Sequence, residues 1–170
     1  QFVADGADWL HVVDLDRAFA TGRDNGAVIR AIAGLPGVRV QVGGLLGSAD
    51  LVREALDLGA ARAVISTAAV TAPRTFGALV RAFGADRLAA AIDVRDGRVT
   101  LRGSTAAVDA SPPELLEWIV EAGIGTIVYR DLARESSLEG ADIAGATQLA
   151  GRGAGVIVSG GIGGVDDVTA

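Results

Sequence analysis

Short apolar runs alternate along the chain with stretches of helical periodicity, and together they predict six strand-then-helix units. Trp9 to Val13 is apolar except at His11 and continues into Asp14-Leu15-Asp16, so a buried strand ending in carboxylates is expected over 9–16. Within it, His11 reads as a satisfied core residue. Further strands are expected at Val38–Val42, Ala63–Ile65, Leu88–Ile92, Thr126–Tyr129 and Val156–Ser159. Amphipathic helices fall between them at Ala27–Ala33, Asp50–Leu58, Pro73 to Gly84, Glu114–Ala122 and Ile143–Gly151. Pro36-Gly37, Gly59 and Gly123 mark helix ends, and Pro73 and Pro112-Pro113 mark helix starts. Asp96-Gly97 between two apolar runs predicts a turn above the end of the fourth strand, and Ser104–Ala110 reads as a mobile loop.

Two of the predicted strands run into paired glycines. Val156-Ile157-Val158-Ser159 meets Gly160-Gly161 and then an acidic segment able to open a helix at Asp166-Asp167, a pattern that lets backbone amides approach an anion. Val40-Gln41-Val42 meets Gly43-Gly44 in the same way, with Ser48 and Asp50 following. Sliding the chain on itself by 117 residues pairs Asp14 with Asp131, Arg17 with Arg134, Gly43 with Gly160, Gly44 with Gly161 and Asp50 with Asp167. Such a repeat of βα units predicts a barrel with two-fold pseudo-symmetry and two related anion sites, which a doubly wound sheet does not. Taken singly, each glycine pair is also what an ordinary turn requires.

Composition narrows the chemistry. The 170 residues are half hydrophobic, with a mean hydropathy of +0.41, which suits one domain spanning 1–170 with a sizeable core. A net charge of −6 argues against nucleic acid as a partner, since phosphate backbones are bound by basic faces. No apolar run approaches the roughly 20 residues of a membrane helix, and no basic-then-apolar leader precedes the first strand, so a cytoplasmic protein away from membranes is expected. Cysteine and lysine are both absent and His11 is the single histidine. Thiolate chemistry, zinc clusters and lysine Schiff bases are thereby excluded within this chain. Proton transfer falls to Asp, Glu, His11 or Tyr129, and anions to Arg and backbone N–H groups.

Val13-Asp14-Leu15-Asp16, Gln41-Val42-Gly43-Gly44, Ser66-Thr67-Ala68-Ala69-Val70, Ala91-Ile92-Asp93-Val94, Arg102-Gly103 and Ser159-Gly160-Gly161 together resemble the phosphoribosyl isomerase family of histidine biosynthesis. The resemblance covers nearly the whole chain. It implies a (β/α)8 TIM barrel of which this chain carries approximately strands 2 to 7. The general-base carboxylate of strand 1, and strand 8 with its share of one phosphate site, then lie outside it. It further implies an aldose–ketose isomerase of histidine biosynthesis, with tryptophan biosynthesis left open as a second pathway, that opens a ribose ring by Amadori chemistry without metal or organic cofactor. The expected ligand is a small phosphorylated molecule, and the completed barrel is expected to be a monomer.

By the same resemblance Gly43, Gly44, Ser66 and Thr67 hold one phosphate, Ser159, Gly160 and Gly161 hold the other, and Asp131 is counted among the binding residues. Asp93, at a strand end where barrel enzymes carry their chemistry, is the leading acid/base candidate, and Glu135 a further acid. Asp93 could equally be a helix cap or a salt-bridged loop carboxylate. Departures from the family pattern fall in the substrate-facing loops. Gly43-Gly44-Leu45-Leu46-Gly47 lacks the arginine usual there, Glu135-Ser136-Ser137 replaces Asp-Gly-Thr, and a tryptophan usual after Arg-Gly is missing at Ser104. They leave two other readings open: a divergent member that binds sugar phosphates without turnover, and the related cyclase subunit, which works with a glutaminase.

Overall fold

A computed structural model describes residues 2–102, 108–135 and 137–169. The first strand, β1 (Trp9–Val13), is shorter than expected because Asp14, itself still extended, caps a four-residue helix, α1 (Leu15–Ala18), by accepting from Arg17 N at 3.1 Å. A short carboxylate competing for nearby backbone N–H groups ends strands in this way. Helix α2 (Gly26–Ala33) leads to β2 (Arg39–Leu46), which runs through the two glycines that the pattern places after the strand.

Ser48 caps α3 (Ala49–Asp57), and β3 (Arg62–Ile65) follows. A short α4 (Thr67–Val70) precedes α5 (Pro73–Phe83), which begins on a proline and ends at Gly84, where φ is +79°. Strand β4 (Leu88–Arg95) turns at Asp96-Gly97 into β5 (Arg98–Val99), both turn residues having the positive φ that a tight hairpin demands. Ser111 and Glu114 form a capping box at the start of α6 (Pro112–Glu121). After β6 (Thr126–Asp131) comes α7 (Ile143–Thr147), shorter than the expected Ile143–Gly151 because Gly145, Gly151 and Gly153 give that stretch little helix propensity. β7 (Gly155–Ser159) and α8 (Asp166–Thr169) complete the order. Most of the expected Ser104–Ala110 loop lies outside the described residues, as does Ser136.

The sheet runs β1-β2-β3-β4-β6-β7 with every one of these neighbours parallel, and β5 pairs antiparallel with β4. Strand side chains alternate between two environments. On one face Ile65, Leu88, Ile92, Ile127 and Tyr129 pack with Val52, Phe76, Leu79, Leu115 and Ile119 from the helices into the main core. Each such fully buried side chain contributes about 1.5–3 kcal/mol. On the other face Val64, Ala89, Ala91 and Val128 form a small cluster of strand residues alone, joined by Ile157. Helices therefore cover one face, and small side chains line the other. That is the layering of a parallel barrel wall and not of a doubly wound sheet, which carries helices on both faces.

Candidate active site

The uncovered face of the sheet carries the candidate chemistry at the C-terminal ends of its strands. Counting by twos along β4 places Ala89, Ala91 and Asp93 on that face, and along β6 it places Thr126, Val128 and Arg130 there. Asp93 and Arg130 stand opposite each other in the parallel register. Asp93 is 2% exposed, and both of its oxygens are engaged. Oδ1 accepts from Arg130 Nε at 2.8 Å and Nη2 at 2.6 Å, and Oδ2 accepts from the Thr67 hydroxyl at 2.9 Å. Arg130 Nη1 lies 3.7 Å from Glu135 Oε1, and Glu135 accepts from Arg102 Nη2 at 2.6 and 2.8 Å. Asp93, Arg130, Glu135 and Arg102 thus form a chain of alternating charge across the mouth of the sheet.

A small cavity opens beside this chain, lined by His11, Gly43, Gly44, Ser66, Asp93 and Arg130 among others. Thr67 stands behind it, 1% exposed, its hydroxyl bonded to Asp93 Oδ2 and accepting from Asp93 N at 3.0 Å. Ser66 and Thr67 thus have different placements, the first at the cavity wall and the second beneath Asp93. Asp131, next in the chain after Arg130, sits beside a separate hollow with Tyr129 and Asp142 and caps its own loop by accepting from Ala133 N at 2.8 Å. Tyr129 donates to Asp142 Oδ2 at 2.6 Å, and burial followed by that bond raises its pKa above the ordinary tyrosine value.

His11 does not sit in the core. It is exposed on the face of the sheet that no helix covers. Arg62 donates to Gln41 Oε1 at 3.0 Å, so Gln41 Nε2 faces His11 Nδ1 at 2.7 Å as donor, which leaves the imidazole proton on Nε2. Desolvation by the atoms packed on its sheet side, then the charges of Arg130 and Arg62, lower its pKa from the ordinary histidine value.

Between Val42 and Leu46 the register of β2 against β3 shifts, so four steps on β2 match two on β3. This bulge holds Gly44 at φ +132° and Leu45 at φ +56°. A Cβ on Gly44 would lie 2.8 Å from the Asp14 carbonyl oxygen. After β7, Gly160 and Gly161 have φ of +92° and +83°, and a Cβ on Gly160 would lie 3.1 Å from the Asp131 carbonyl oxygen. Strand pairing puts Val13 opposite Gly43 but Arg130 opposite Ser159. By register, then, Gly44 corresponds to Gly160 and Leu45 to Gly161, one residue away from the pairing that an ungapped slide gives. Ser159 ends β7 and Gly160 and Gly161 follow it, and a Cβ on Gly160 would lie 3.6 Å from Glu135 Cα and from Arg130 Cγ.

No motif marks Arg130 as a site residue, and Arg102-Gly103 carries the resemblance without assigning Arg102 a role. Alternation counted outward from the apolar Ile127 and Tyr129 is the signal that points Arg130 inward. Among the described residues, no group of three His, Asp or Glu side chains converges as metal ligands, and no helix is long and apolar enough to cross a membrane.

The family model described as "Histidine biosynthesis protein" matches residues 1–170. The chain belongs to that family. Its curated relatives include phosphoribosyl-phosphoribosylaminomethylideneamino-imidazole-4-carboxamide isomerases. That of Thermus thermophilus is 42% identical over 142 residues, covering 84% of this chain and 60% of the relative. Those of Symbiobacterium thermophilum and Moorella thermoacetica are each 39% identical over 168 residues, covering 96% and 98% of this chain and 67% and 69% of the relatives. The chain therefore spans about three-fifths to two-thirds of the length of these relatives. The parallel sheet with helices on one face fits a partial (β/α)8 barrel.

Proposed function

We propose that the protein is an aldose–ketose isomerase acting on a phosphoribosylamine intermediate of histidine biosynthesis. The observation that carries this reading is the placement of Asp93 on the uncovered face, at the C-terminal strand ends, beside a cavity walled by the Gly43-Gly44 bulge and Ser66. The names of the relatives describe a substrate with two phosphoribosyl groups. Two glycine turns of related geometry suit such a ligand: Gly43, Gly44 and Ser66 form one phosphate site with Thr67 supporting it from beneath, and Ser159, Gly160 and Gly161 form the other, with Asp131 buttressing the second turn. The match of Gly44 with Gly160, each against a strand-end aspartate, supports two-fold pseudo-symmetry across family strands 2 to 7.

In the Amadori rearrangement a proton goes to the ring oxygen as the C1–O bond breaks, giving a Schiff base. Loss of the C2 proton gives an enolamine, which tautomerises to the aminoketose with no net redox change. Asp93 and Glu135 supply acid/base groups to these transfers. The reaction needs neither metal nor organic cofactor. The completed barrel acts as a monomer in the cytoplasm, in keeping with the biosynthetic role of the relatives.

A second reading, binding of the sugar phosphate without turnover, is favoured by one feature: both Asp93 oxygens already accept hydrogen bonds. Incubating the full-length protein with the relatives' substrate separates the two. Conversion that inorganic phosphate inhibits competitively supports the isomerase, whereas phosphate-competitive binding without conversion supports the second reading.

A further inference from the structure

Arg130 is the residue through which the two candidate carboxylates meet. Its guanidinium places Nε and Nη2 on Asp93 Oδ1 and its Nη1 edge toward Glu135, while the side chain itself is 16% exposed. Asp93 comes from β4 and is held by the sheet. Glu135 comes from the loop after β6, which has no regular structure of its own to fix it. Of the charged groups around Glu135, Arg102 approaches from the segment after β5 and Arg130 from the sheet. Of these two, among the described residues, Arg130 also touches Asp93, so it ties the loop carboxylate to the strand carboxylate. The planar fork of an arginine suits this, because it can address two carboxylates along different edges where a lysine offers one point charge.

We propose that Arg130 is a positioning residue for the acid/base pair: it sets the Asp93 and Glu135 carboxylates relative to each other without exchanging a proton itself. This inference rests on the isomerase reading given above. Displacement of a reacting group by about 1 Å costs on the order of a hundredfold in rate. Arg130→Gln should therefore lower kcat by about 10- to 100-fold while KM changes less than about threefold, since the phosphate turns are left intact.

The test uses the full-length protein, comparing wild type, Arg130→Gln and Arg130→Lys for kcat and KM on the relatives' substrate, with thermal unfolding of each. Arg130→Lys retains the charge and should recover only part of the rate, because it loses the fork. It also carries the test if Arg130→Gln does not fold. Turnover by wild type with kcat unchanged in a folded Arg130→Gln or Arg130→Lys protein overturns the inference and leaves the isomerase reading standing. A loss confined to KM, with kcat kept, makes Arg130 a binding residue and likewise overturns it. Absence of turnover in wild type overturns the isomerase reading and this inference together.

Discussion

Replacing Gly44 with alanine tests whether the first glycine turn is built for close backbone packing. The residue has φ +132°, and an added Cβ would sit 2.8 Å from the Asp14 carbonyl oxygen and 3.0 Å from Asp14 Cβ. An L-residue held in that conformation costs about 1–3 kcal/mol, and forcing a methyl against a backbone that cannot yield adds about 1–3 kcal/mol. Asp14 cannot withdraw freely, because its N–H donates to Gly43 O at 2.9 Å and its carboxylate caps α1 and accepts from Asn25. The combined loss is about 2–6 kcal/mol by these figures. Gly97→Ala is the reference, since Gly97 has φ +72° but no atom within 4 Å of its Cβ position. Only the conformational cost applies there, about 1–2 kcal/mol. Urea unfolding of the full-length variants reads the difference: with slopes of about 1–3 kcal/mol per molar, Gly44→Ala should lower the midpoint well beyond Gly97→Ala. If the two variants agree within about 0.5 kcal/mol, below the contact term above, the packing argument is refuted.

Two further outcomes follow from the same geometry. Thr67→Val keeps the shape but removes the hydroxyl that donates to Asp93 Oδ2 and accepts from Asp93 N; leaving buried polar groups unpaired costs about 1–3 kcal/mol, measurable by denaturant unfolding, and an unchanged midpoint would contradict the arrangement. His11 has its pKa lowered in the folded protein, so below the ordinary value of about 6.5 the unfolded chain takes up a proton that the folded one resists. Its contribution to stability is complete above that pH and is lost as pH falls through the interval down to the folded pKa. An imidazole NMR titration in the full-length protein should therefore have its midpoint below 6.5, and a midpoint at or above it would be inconsistent with the crowding and the two arginines around the ring.

Much of the fold is written in local pattern. The β-branched runs at Val64-Ile65 and Ile127-Val128, the proline starts at Pro73 and Pro112, and the Asp96-Gly97 turn all lie where spacing and turn chemistry put them. What local pattern misses is set by neighbours distant in sequence. β2 continues past Val42 because β3 pairs with its far end through Leu46 and Ile65. The exposure of His11 follows from its place on the sheet face that no helix covers, which no window around residue 11 contains.

The site divides in the same way. Glycines in the two turns are visible from chemistry alone, since few other residues tolerate their φ values. Leu45 at φ +56° is the exception that a motif does not reveal. The ion pair between Asp93 and Arg130 depends on two strands 37 residues apart meeting in register, so neither motif betrays it. The serine and threonine of Ser66-Thr67 look interchangeable in sequence, yet the turn into α4 sends one to the cavity and the other beneath Asp93.

The most direct test of the isomerase reading follows the sugar itself. The full-length protein is given the relatives' substrate labelled with 13C at C1 of the phosphoribosylamino group, and the label is followed by NMR. The isomerase account predicts that the aldose C1 signal gives way to the methylene signal of an aminoketose. Conversion by Asp93→Asn should be slower by about 10²- to 10⁴-fold, as expected on losing an acid/base group. A bound substrate whose C1 signal stays that of the aldose, or an Asp93→Asn protein as fast as wild type, would contradict it.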